Sequence, residues 1–320
     1  MSRVELDRFE YSRLAMGVEA RIVLYAPSAL AGDSAADAAF AAIADLDATL
    51  SDWNANSELE RLVRAAHSAP VAVSADLFEV LQRSVAIARQ TDGAFDPTIG
   101  PLVALWRAAR TSHVLPAPEA LAAARALVGI DGLELDERAQ AVRLTRAGMR
   151  LDLGGIGKGY ACQRAIETLA RLGIASALVE MGGDIVCSRA PPGRAGWDID
   201  PAWDDAAGHD RLSVEHCAVS TSGDREQWVE IDGRRYSHVV DPRTGLGLEN
   251  RAHVVVLARD GATSDALATA LSTLGVERAL ELLRRFEGVE AWLSEEYESN
   301  RHVRITPGLH ARFRKNRDRL

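Results

Sequence analysis

Cysteine is scarce in this chain. Cys162, Cys187 and Cys217 stand alone, with no Cys-x-x-Cys pair among them. That spacing excludes a thiolate zinc site or a dithiol redox motif, and it fits reduced thiols in a reducing compartment. Aromatic residues make up 5% of the 320 residues while alanine is abundant, so the helices are expected to be alanine-lined and closely packed. No run approaches the ~18 apolar residues of a membrane span. The stretch Met1 to Glu10 has no apolar core of the signal-peptide kind and no lipidation box with a cysteine. The reading is a cytoplasmic protein without a membrane span. An excess of positive charge is also missing. Lys and Arg number 37 against 46 Asp and Glu, a net charge of −9, which opposes a phosphate-tracking role on nucleic acid. The exception is Arg301 to Leu320, locally basic through Arg312, Arg314, Lys315, Arg317 and Arg319. It reads as a solvated end that frays; the sharper alternative is a docking arm for an acidic partner.

What is present is an ordinary globular composition, 47% hydrophobic and 26% charged. The length suits one large domain or two average ones. Ala20–Tyr25 reads as a strand. Ser34 is the expected cap of a helix with Phe40, Ile43, Leu46 and Leu50 on one face, and Ser74 of another with Leu77, Val80, Leu81 and Val85 inward. Ala117–Leu127 is a third helix. Strands are expected at Ala141–Thr145 and Arg150–Leu153, followed by a helix from about Gly159 to Leu172 that stops at Gly173. Short strands follow at Ser176–Glu180 and Asp184–Ser188 around Gly182-Gly183. More are expected near Val214–Thr221, Trp228–Ile231, Arg235–Val240 and Ala252–Leu257. Two closing helices cover Ser264–Leu274 and Glu277–Phe286. Strands joined by short turns favour antiparallel sheet, and the pattern is α+β rather than regular βαβ alternation.

Several residues have the character of a site. Asp265 and Thr269 are spaced i, i+4, so they share one helix face, where a carboxylate and a hydroxyl can hold a hard divalent cation through oxygen. Asp152-Leu-Gly-Gly-Ile-Gly-Lys158 sits between strand and helix, the place of a phosphate cradle. It is neither a P-loop, since Gly159 follows Lys158, nor the dinucleotide fingerprint. The alternative is a tight turn without a ligand. In Asp96-Pro97-Thr98 the proline holds Asp96 extended, and the alternative is a helix-terminating turn. By residue type alone Met16 and Trp53 look like core residues. His238 stands before the long turn Asp241-Pro242-Arg243-Thr244-Gly245 and is a candidate general base or orienting group, whereas a lone histidine is usually structural. The other histidines show no metal-ligand spacing.

Taken in order, Asp92–Thr98, Leu151–Tyr160, Tyr236–Gly245 and Ser264–Ala270 resemble the ApbE family, the FAD:protein FMN transferases, over about Met16 to Gly275. The resemblance implies a T-fold-related α+β architecture with mixed or antiparallel sheets and packed helices, in one domain spanning residues 1–320. It implies FAD as substrate, Mg²⁺ as cofactor, and a Ser/Thr hydroxyl of an acceptor protein as the group modified, with AMP released. By the same resemblance Met16, Trp53, Ala94, Phe95, Asp96, Asp152, Lys158 and Val239 contact FAD. The Gly155 carbonyl joins Asp265 and Thr269 as metal ligands, and Asp265 and His238 carry the catalysis. Two departures stand out: Glu180-Met181 precedes Gly182-Gly183 where the family usually has Asn and an aliphatic residue, and many members are exported lipoproteins. Asp260–Asp265 partly resembles the modified acceptor motif but lacks its final threonine, so self-modification is not read from it. Two other outcomes share most of these residues: FAD hydrolysis to FMN and AMP, and FAD binding without catalysis.

Overall fold

The computed structural model describes residues 5–201, 211–223, 227–297 and 300–313. Its centre is an eight-stranded sheet in which every neighbouring pair runs antiparallel. Across the sheet the strands are Asp7–Ala15, Val18–Ala26, Ala177–Met181, Asp184–Cys187, Cys217–Gly223, His253–Ala258, Glu290–Tyr297 and Asn300–Ile305. The central strand His253–Ala258 is buried on both faces. Its run of valines reads as continuous apolar sequence for that reason.

Three helices lie on one face: Ala29–Leu50, Gly157–Arg171 and Gly261–Leu274. Their inner stripes are rich in alanine, with Ala35, Ala36, Ala39, Ala161, Ala165, Ala266 and Ala270 all buried. Small side chains let the backbones approach, as expected from a chain poor in aromatics. The other face is covered by the hairpin Trp197–Ile199 and Leu212–Val214 together with Leu309 and Phe313. A third cluster joins Leu102 and Trp106 of helix Gly100–Ser112 to Val229, Ile231 and Tyr236 of the hairpin Trp228–Ile231/Arg234–Ser237. The Trp106 indole N–H donates to the Ser237 carbonyl at 3.0 Å, which satisfies the one polar atom of a fully buried ring. Among the described residues no helix is long and apolar enough to cross a membrane.

Several sequence expectations need correction. The first helix is capped by Ser28, not Ser34; Ser28 has extended backbone and accepts from the Ala31 N–H. Ser34 lies exposed inside the helix. Ser74 does cap its helix, accepting from the Leu77 N–H. Arg150–Leu153 alternates like a strand but forms no ladder beyond a bridge between Arg150 and Ile99. Val214–Thr221 is two strands, broken where His216 takes a left-handed φ of +49°. The first part of the basic end does not fray: Asn300–Ile305 pairs with Glu290–Tyr297, and a short helix Pro307–His310 follows. Arg314, Lys315, Arg317 and Arg319 lie outside the described residues, as does His209.

Candidate functional site

The site begins where two helices cross. Gly159 of helix Gly157–Arg171 faces Gly261 of helix Gly261–Leu274, so closely that a Cβ on either would lie 2.0 Å from the other's carbonyl oxygen. With no side chain between the backbones, Asp265 Oδ2 accepts the Gly159 N–H at 3.0 Å. Gly159 lies in the first turn of its helix, where backbone N–H groups have no helical partner and favour an anion.

Lys158 completes this centre. Its ammonium lies 3.1 Å from Asp184 Oδ2 and 3.6 Å from Asp265 Oδ2, and it donates to the Gly154 carbonyl at 3.1 Å. Burial pulls the Lys158 pKa down, but Asp184 and Asp265 outweigh it and push it up, so the ammonium stays charged. Burial, and then the Asp184 charge, raises Asp265 to about 7 against the opposing Lys158 and Gly159 N–H. Asp184 follows Gly182-Gly183 at the start of a central strand. The sequence marked that turn but assigned no role to this aspartate.

Gly155 lies against Thr269. A Cβ there would stand 2.9 Å from Thr269 Oγ1 and 3.4 Å from Phe95 Cε2, so the Gly155 backbone rests directly on Thr269, one helical turn beyond Asp265. Oxygen is the donor atom in all three groups, a carboxylate, a hydroxyl and a carbonyl, as a hard divalent cation prefers. A second observation fits the same ion. Asp184 Oδ1 is buried with no hydrogen-bond partner among the described residues. With Asp265 ionised, two carboxylates and one ammonium leave this buried centre one negative charge in excess, an arrangement that favours a bound cation.

The remaining predicted residues fall into four groups. Met16, at a left-handed φ of +50°, donates its N–H to Asp47 Oδ2 at 3.2 Å. Its Cε would lie 3.7 Å from a Cβ on Gly157, so the thioether rests at the start of the Lys158 helix. Non-glycine residues rarely take that conformation, and Met16 is half-buried rather than core.

Ala94, Phe95 and Asp96 form a buried turn beside Gly155. Asp96 Oδ1 accepts the Thr98 N–H at 2.8 Å and the Thr98 hydroxyl at 2.6 Å. Burial raises the Asp96 carboxyl while those two bonds oppose the rise. The turn is joined to the glycine cluster by the Asp152 N–H, which donates to the Pro97 carbonyl at 2.8 Å. It is joined to the Asp265 helix by the Thr273 hydroxyl at the Ala94 carbonyl, 3.4 Å away.

Trp53 is the clearest departure from its residue type: the indole is 76% exposed. Arg107, which the sequence did not mark, lies over its ring at 4.0 Å. The same guanidinium reaches Asp52 at 2.6 Å and Asp152 at 3.3 Å. Burial, and next the Asp52 charge, raises the Asp152 carboxyl, with Arg107 opposing. A groove of about 1000 Å³ runs from Trp53 and Arg107 to Trp228 and Glu230.

His238 and Val239 lie on a separate loop. The His238 N–H donates to the Gln227 carbonyl at 3.1 Å, and its ring Nδ1 lies 3.2 Å from the same oxygen. The loop is locked by Asp241, which accepts the Arg243 N–H at 2.8 Å and its Nε–H at 2.9 Å. Arg243 in turn donates to the Thr273 carbonyl at 2.6 Å. Thr273 therefore ties both the Ala94 turn and the His238 loop to the helix that carries Asp265.

Comparison with known proteins gives one consistent result. The model of the ApbE family matches residues 16–293. A relative from Treponema pallidum, named FAD:protein FMN transferase, is 34% identical, with 95% of this chain and 89% of that protein covered. A Klebsiella pneumoniae protein of the same name is 33% identical over 88% of each. The solved flavin transferase ApbE from Vibrio cholerae superposes with a TM-score of 0.86 at 27% identity, covering 96% of this chain and all of that one. The apo flavinyl transferase ApbE of Pseudomonas stutzeri gives 0.84 at 28% identity, covering 98% and 99%. The α+β fold, its antiparallel sheet and its packed helices are those of these proteins, and the chain belongs to the ApbE family.

Proposed function

We propose that this protein transfers FMN from FAD to a serine or threonine hydroxyl of an acceptor protein, with Mg²⁺ required and AMP released. The observation that carries the reading is the convergence of the Gly155 backbone and Thr269 one turn from buried Asp265, beside an uncompensated negative charge. Asp265, Thr269 and the Gly155 carbonyl would hold Mg²⁺, which when bound neutralises the diphosphate and makes the FMN-side phosphorus more electrophilic.

The chain's own residues supply the rest. Lys158, held as an ammonium by Asp184, places a fixed positive charge next to the diphosphate. Trp53 offers an open aromatic face for a ring of FAD, and Met16, Ala94, Phe95, Asp96, Asp152 and Val239 shape the surrounding walls. His238, with Nδ1–H donating to the Gln227 carbonyl, keeps Nε2 as its basic nitrogen. The acceptor oxygen bonds to the FMN-side phosphorus, the P–O bond to AMP breaks, and the hydroxyl proton passes to His238.

Two measurements test this. Purified protein incubated with FAD and an acceptor should release AMP with Mg²⁺ and not with EDTA; release that persists in EDTA would remove the metal from the account. His238→Asn should slow transfer about 100-fold, the usual size of a general-base effect, while FAD affinity stays at the natural value. Equal rates in the two proteins would take the base role away from His238.

A further inference from the structure

We infer that Arg107 is the positioning residue that readies Trp53 to stack on a ring of FAD, an inference that rests on the function proposed above. Three observations meet at one guanidinium. Its central carbon Cζ lies over the Trp53 ring, 4.0 Å from the ring centre. It pairs with Asp52, the neighbour of Trp53, at 2.6 Å. It also pairs with Asp152 of the glycine cluster at 3.3 Å. The turn after the first helix and the turn before the Lys158 helix are distant in sequence, and Arg107 bridges them.

The physical consequence is preorganisation. An indole that is 76% exposed would otherwise sample several rotamers. Arg107 covers one of its faces by cation–π stacking and leaves the other for a planar partner. The fork shape of guanidinium lets one side chain do this while holding two carboxylates, which a lysine point charge cannot reproduce. Without that charge Asp52 and Asp152 repel each other, as the upward push of Asp52 on the Asp152 carboxyl indicates, and the Trp53 turn is driven away from the glycine cluster. Arg107 sits in the middle of helix Gly100–Ser112, whose buried Leu102 and Trp106 fix it from below.

The test is FAD binding by calorimetry in EDTA, where no turnover interferes, on the full chain. Arg107→Gln is expected to weaken FAD binding by about tenfold or more, a loss of roughly 1.4 kcal/mol. Arg107→Lys, which keeps the charge and loses the planar stack, should fall between the two. Adding Asp52→Asn to Arg107→Gln removes the repulsion and should recover part of the lost affinity, a rescue that a merely structural role would not produce. Thermal midpoints measured alongside identify a variant that has failed to fold, and Arg107→Lys then carries the test. FAD affinity equal to the natural chain in folded Arg107→Gln and Arg107→Lys would overturn the inference. If the natural chain binds no FAD in EDTA, the same series is run with Mg²⁺ and no acceptor, and absence of FAD binding there too would mean that the proposed function fails instead.

Discussion

Asp265→Ala is expected to lower the rate of FMN transfer by about 1000-fold at saturating Mg²⁺, because polarisation by a metal ion supplies several kcal/mol and each 1.4 kcal/mol is tenfold. Asp265 is the one charged group among the three oxygen donors, so its loss removes most of the attraction for the cation. Asp265→Asn separates charge from shape, since the amide oxygen can still accept the Gly159 N–H that the carboxylate accepts at 3.0 Å. It should lose Mg²⁺ binding as completely as the alanine variant. The fold raises the Asp265 carboxyl to about 7, above its unfolded value of about 3.9. A group raised in this way costs stability as pH climbs between those two values. The asparagine variant escapes that cost, so in Mg²⁺-free buffer at pH 8 it should unfold at a temperature no lower than the natural chain. A variant that kept full Mg²⁺-dependent transfer would exclude Asp265 as a ligand.

The second large effect is structural. In Gly159→Ala the new methyl would stand 2.0 Å from the Gly261 carbonyl oxygen and 2.8 Å from Asp265 Cβ. Neither contact can be relieved by turning a side chain, because the first is backbone and the second is an atom fixed to it. The two helices must separate, and both lie in the main core. Overpacking of this kind costs about 3 kcal/mol, and it also pulls Asp265 off the Gly159 N–H. Urea unfolding should show a clearly lower midpoint, with transfer activity reduced in the protein that remains folded. An unchanged midpoint would mean that the crossing is looser than the geometry implies.

How legible the molecule was in its sequence follows from what each segment buries. The strands around Gly182-Gly183 and the helix ending at Leu274 were readable because apolar periodicity and a glycine stop coincide there. The strand Asp7–Ala15 was not, because it is an edge strand with most side chains in water, and alternation carries no hydrophobic signal without a buried face. The helix Gly100–Ser112 opens on Gly100-Pro101, which reads as a turn although proline is well suited to a first helical turn. Ser28 and Ser34 are equally good cap residue types, and only the geometry, in which Ser28 accepts the Ala31 N–H, separates them.

For the site, the resemblance named residues that the fold does bring close: Gly155 with Thr269 and Phe95, and Lys158 with Asp265. It offered nothing on Arg107 or on the charge role of Asp184, because each acts through partners remote in sequence. An exposed tryptophan held by an arginine 54 positions away leaves no local pattern to read.

The most direct test of the account is the intact mass of an acceptor. The purified protein is mixed with FAD, Mg²⁺ and a panel of threonine-containing acceptor proteins, and each acceptor is weighed by mass spectrometry while AMP is followed by chromatography. The account predicts an acceptor heavier by one phosphoester-linked FMN, with AMP formed in equal amount and both products lost with Asp265→Ala. Free FMN and AMP without an adduct on any acceptor would contradict it in favour of hydrolysis, and FAD left bound and intact would contradict catalysis altogether.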